Sequence, residues 1–197
     1  MKTYLLLAFS SAVLLGGCVS PSFYTVNEYQ KHRQQDLIIP QKPFAVRVEA
    51  DFSRNGQALP AANGELAAAV EKALTNTRIA IPYAHAENAI KITADNISDL
   101  KQALNKGFAT GLTLGMAGNR VQDYYQFTCH YLNKNQALYS IQYNHALITA
   151  IGNVAPPSDS TVQSNPKTAF ASITKDIVIN CLVDLQKNGF LLPTLGK

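Results

Sequence analysis

VQDYYQFTCHYLNKNQALYSIQYNHALITAI, residues 121–151, decides the fold class. In its first half Val121, Tyr125, Phe127, Cys129 and Tyr131 share one face, with Asp123 the exception, and Gln122, Tyr124, Gln126, Thr128 and His130 share the other. Period-two alternation with one polar side marks a half-buried strand. Asn133, Lys134 and Asn135 form a polar turn. The run from Ala137 to Ile151 then returns Tyr139, Ile141, Tyr143, His145 and Leu147 to the apolar side, with Ser140, Gln142 and Asn144 pointing out. The stretch reads as an antiparallel hairpin that needs a layer packed on one face.

Working outward, residues 44–52 alternate in the same way, with Phe44, Val46, Val48, Ala50 and Phe52 inward. Residues 89–97 do so with Ile90, Ile92 and Ala94. Ile79 and Ile81 suggest a short strand stopped by Pro82. Between the first two strands, Leu66, Ala69, Val70, Ala73 and Leu74 recur at three- and four-residue spacing, which predicts an amphipathic helix capped by Asn63. A second helix is expected from about Lys167 to Lys187, with Phe170, Ile173, Ile177, Cys181 and Leu185 on its stripe and Asn188-Gly189 closing it. The fold expected from these elements is α+β: a single, mostly antiparallel sheet of about four strands with two helices on one face.

The N-terminus carries a different signal. Lys2, an apolar run from Tyr4 to Leu15, and then Gly16-Gly17-Cys18 describe a secretory signal over residues 1–17. The run is shorter than the roughly 20 apolar residues that a bilayer-spanning helix needs. Leu15-Gly16-Gly17-Cys18 resembles the lipobox of bacterial lipoproteins, in which the cysteine carries the acyl chains and begins the mature protein. No aspartate follows Cys18, and in Gram-negative lipoproteins that absence implies the outer membrane. Residues 18–43, with Pro21 and Pro43 near the ends, read as a lipidated tether, and 44–197 as one periplasmic domain.

The chain is 47% apolar with a net charge of +4 spread thinly along it, enough for a core and too diffuse for a nucleic-acid footprint. In an oxidising compartment Cys129 and Cys181, both on core-facing surfaces, are candidates for a disulfide; two separately buried thiols are the alternative. Gly107, Gly111 and Gly115 recur at four-residue spacing in an apolar stretch, 107–118. That spacing suits either a packed loop or a self-association or membrane-touching segment.

Taken together, the lipobox, the proline-bounded tether, Gly-Leu-Thr-Leu-Gly at 111–115 before a tyrosine-rich strand, and the terminal amphipathic helix resemble a loose group of small envelope lipoproteins. The group comprises YajG-like proteins and auxiliary lipoproteins of envelope transport systems. The resemblance implies an accessory role at the outer membrane and brings no catalytic residue with it.

Catalytic patterns are not found. His32, His85, His130 and His145 form no pair at helical ligand spacing, and there is no G-x-S-x-G elbow and no P-loop. No cofactor or metal is expected. The expected function is non-enzymatic: an accessory or binding component of the cell envelope, held by the membrane through Cys18 and meeting an envelope protein. The interaction face is expected at Tyr124, Gln126, His130, Gln142 and Asn144. The alternatives are a homo-oligomeric or membrane-inserting assembly through 107–118, or a carrier of a small apolar ligand between sheet and helices.

Overall fold

The computed structural model describes residues 20–98 and 119–192. Cys18 and the glycines at 107, 111 and 115 lie outside the described residues. The strands are β1 (Ser22–Val26), β2 (Phe44–Arg54), β3 (Gln57–Ala58), β4 (Ala80–Pro82), β5 (Asn88–Ser98), β6 (Asn119–Asn133), β7 (Gln136–Ile151) and β8 (Ser160–Gln163). The described α-helices are α1 (Asn63–Thr77) and α2 (Pro166–Lys187).

These strands build one eight-stranded mixed sheet in the order β3-β2-β5-β6-β7-β1-β8, with β4 also paired to β2. The expectation of about four mostly antiparallel strands is thereby corrected. Two features account for the difference. First, β2 and β5 run parallel, because α1 lies between them as a crossover and returns the chain to the end where β2 began. Second, the sheet extends past the hairpin through β1 and β8, which pair with each other and, through β1, with β7. Both are short and of mixed polarity: β1 falls within the stretch read as a tether and β8 within a Ser- and Thr-rich loop. Neither carries an alternation long enough to stand out in the sequence.

The β6–β7 hairpin sets the register of the centre. Lys134 and Asn135 both take positive φ, 46° and 67°, the geometry of the tight two-residue turn whose twist matches the strands. Phe127 then lies opposite Tyr143, Cys129 opposite Ile141, and Tyr125 opposite His145. A bulge at Tyr131/Leu132 shifts the register near the turn.

Both α-helices pack on the face that carries Val46, Ile90, Ile92, Phe127 and Tyr143. From α1, Leu66, Val70, Ala73 and Leu74 are buried, each large aliphatic side chain contributing roughly 1.5–3 kcal/mol. The helix stops at Arg78, which takes the left-handed conformation. Asn63 does not cap α1; its side-chain oxygen accepts from the Phe52 backbone N–H and fastens the helix to the sheet. At α2 the cap is Asn165, which accepts from the Thr168 N–H while the Thr168 hydroxyl accepts from the Asn165 N–H. Cys129 and Cys181 form a disulfide, Cα–Cα 6.2 Å, joining β6 to α2.

Candidate functional site

The register places Ser22, Ala150, Asn119 and Arg54 towards one end of the sheet. Both helices start at that same end: α1 just after β3, and α2 just after Gln163, which pairs with Phe23. Between their first turns the inner sheet face is left partly open.

A cavity of about 340 Å³ lies there, with Phe52, Tyr125 and Leu147 as its floor and Phe170 as its wall. Phe170 packs against Phe52 with ring centroids 5.9 Å apart and against Tyr125 at 5.8 Å. A second cavity of about 320 Å³ adjoins it along Ala68, Ala69 and Ala171, and the two share Glu65, Lys167 and Phe170. Lys72 borders the second. Each volume falls in the range of about 300–1,000 Å³ usual for small-molecule sites.

The titratable groups under this groove are pushed towards their neutral forms. Burial, reinforced by the Asp123 carboxylate, pushes the Tyr125 phenol up to about 12, against the opposing pull of Arg54 and an Asn96 hydrogen bond. Burial likewise raises Asp123 above the usual carboxylate range, partly offset by Arg54 and by Asn96. A neutral phenol among aromatic rings makes a floor that receives apolar matter. It places no nucleophile beside a base.

Tyr124, Gln126, His130, Gln142 and Asn144 all lie on the opposite, outer face, where Gln126 faces Asn144 and Lys91 faces His130. Burial and then the Lys91 ammonium lower the pKa of His130, keeping its ring neutral. Further along this face the charges are paired, Arg47 with Glu49 at 2.8 Å and Lys91 with Asp51 at 2.7 Å. At the groove end the same face turns apolar: Tyr124 is 46% exposed, Ile97 opposite it 43%, and Val162 67%. His130 and His145 are on opposite sides of the sheet, and no cluster of three or more His, Cys, Asp or Glu suited to a metal occurs among the described residues.

One arrangement escaped the sequence reading. Residues 27–39 cross α2 as a strap held by a polar row on that helix. Asp176 accepts from the Gln30 amide; Asn180 accepts from the His32 N–H at 2.9 Å and donates to the Tyr29 carbonyl. Asp184 lies 3.3 Å from His32 Nε2 and accepts from the buried Tyr143 hydroxyl at 2.8 Å. Gln186 accepts from the Ile38 N–H at 2.9 Å and donates to the Ile38 carbonyl at 2.7 Å, as a neighbouring strand would. Beneath the strap His145 is wholly buried: its Nδ1 lies 2.8 Å from the Ala146 N, and its Nε2 lies 3.5 Å from Asp176. The signal was present in Asp176, Asn180 and Asp184 at four-residue spacing, polar residues on a largely apolar helix.

No family model matches the chain, and no curated protein matches it. Among solved structures it is similar to a dodecameric single-substitution variant of PelC from Paraburkholderia phytofirmans, with 9% identity over 85% of this chain and 98% of that one, at a TM-score of 0.37. It is also similar to a DUF330 protein from Xanthomonas campestris, with 10% identity over 76% and 90% of the two chains, at a TM-score of 0.36. Both are distant likenesses in shape.

Proposed function

We propose that the chain is a non-enzymatic lipoprotein of the bacterial outer membrane, anchored through Cys18, facing the periplasm and serving as an accessory binding component of the envelope. The observation that carries this reading is Leu15-Gly16-Gly17-Cys18 at the end of an apolar run, with β1 beginning only four residues beyond the cysteine. The resemblance to YajG-like and transport-auxiliary lipoproteins implies the same role. The face offered to an envelope protein is the outer one, where Tyr124, Gln126, Gln142 and Asn144 are exposed. Neutral amides around an aromatic ring suit adaptable hydrogen bonding at a protein interface.

Metabolic labelling with an alkynyl palmitate tests the anchor: label is expected on the wild-type chain and lost in Cys18→Ala, which should leave the membrane fraction. An unlabelled wild-type chain overturns the reading. Crosslinking in intact envelopes tests the face, with Gln142→Arg expected to lose the captured partner. Self-assembly through Gly107, Gly111 and Gly115 is a second version of the partner reading, and light scattering that shows only monomer dismisses it.

A further inference from the structure

We infer that the groove between α1 and α2 takes an acyl chain of an anionic membrane lipid, at the end of the domain turned towards the bilayer. The inference rests on the lipid anchoring proposed above and adds a ligand class and a site to it. Its first support is position. Only Val19, Ser20 and Pro21 separate Cys18 from β1, so the Cα of the acylated residue stays within about 14 Å of the Ser22 end of the sheet. The groove opens at that end. Its floor residue Leu147 pairs with Thr25 of β1. Tyr125, on β6, lies two strands from β1, about 10 Å across the sheet, and about 16 Å along the strand from the level of Ser22. The last residue of β5 and the first of β6 lie at this end too.

The second support is chemistry. Phe52, Leu147 and Phe170 supply an apolar channel, and Tyr125 contributes a ring whose phenol remains neutral. Lys72 and Lys167 stand at the rim, and Glu65 is the one acidic residue among the described residues that line the two cavities, leaving a positive balance where a head group would lie. Long lysine stems suit this position, since they cover apolar surface while the ammonium reaches a phosphate. Both helix N-termini point the same way and add to the positive field.

The chain contains no tryptophan, so one introduced ring reports alone. Full-length lipidated protein carrying Phe170→Trp is placed in phosphatidylethanolamine vesicles that contain phosphatidylglycerol with brominated acyl chains. Contact quenching is expected to remove emission from this reporter and to spare a Phe190→Trp reporter at the opposite end. Ala171→Trp serves as a second reporter should Phe170→Trp fold poorly. Brominated phosphatidylcholine should quench less, and Lys72→Gln with Lys167→Gln should erase the difference.

Emission that survives on acylated, vesicle-bound protein overturns the groove and leaves the anchor standing. That result also covers occupation by the chain's own Cys18 acyl groups or by a second copy. Equal quenching at both ends, or by both head groups, overturns the site or its selectivity. Protein recovered without acyl mass overturns the anchor and this inference together.

Discussion

The strap over α2 allows a sharp test at Asn180, which is fully buried and joins two strap backbone groups to the helix. Asn180→Ala removes two hydrogen bonds, each contributing about 1 kcal/mol net, and orphans the His32 N–H and the Tyr29 carbonyl. Keeping those groups in place without partners would cost about 1–3 kcal/mol more for each. The strap therefore peels away locally instead, and the observed loss settles near the strap's own docking free energy, about 2 kcal/mol. Amide hydrogen exchange reads this directly: the His32 and Ile38 amides should exchange up to about 30-fold faster, while those of β5 and β6 stay protected. Gln186→Ala should reproduce the effect through Ile38. The double variant should cost less than the sum, because a strap already released has little left to lose. Unchanged exchange at His32 and Ile38, or full additivity, would refute the account of the strap as a separately docked segment.

Replacing Cys129 and Cys181 together by alanine opens a link spanning 52 residues; chain entropy alone puts the loss near 4 kcal/mol, or roughly 8–16 °C in Tm, checked by calorimetry. Asp123→Asn should stabilise the domain at neutral pH, since burial raises the carboxyl's folded pKa and ionising it then costs stability. In the window above 3.8 the folded state binds the extra proton, so that cost grows as pH rises through the folded pKa; melting curves of the two proteins should converge below 3.8, where the carboxyl is protonated in the folded and unfolded chain alike. Asn165→Ala should cost about 1 kcal/mol through loss of the α2 cap, measured by urea denaturation.

Legibility in the sequence followed the strength of local periodicity. The hairpin, β2, β5 and α1 carry long, one-faced patterns, and the paired faces of Phe127 and Tyr143 follow from alternation alone. By contrast, α2 shows a stripe in sequence but is buried on every side over 177–183, where the strap covers it. β1 and β8 do not: four or five residues of mixed polarity look the same in a strand as in a loop, and only partners more than a hundred positions away decide between them. The parallel pairing of β2 and β5 was latent in the strand–helix–strand order, yet alternation reports faces and not directions. At the groove, Phe170 and Leu147 looked like ordinary core residues because their role depends on a gap between helices, which no single segment encodes. The outer-face residues were legible as a set because they share one strand pair.

The seating of β1 between β7 and β8 has a consequence for biogenesis. Thr25 bonds to the Thr161 carbonyl, 136 positions further along, so β1 is made well before either of its two neighbours. Until β8 has emerged, the outer margin of β1 stays an open ladder of unpaired amides, which invites pairing with a foreign chain. A truncation or a stall upstream of residue 160 would leave that margin permanently uncapped. Such a product should be cleared by proteases or aggregate, however complete its hydrophobic interior.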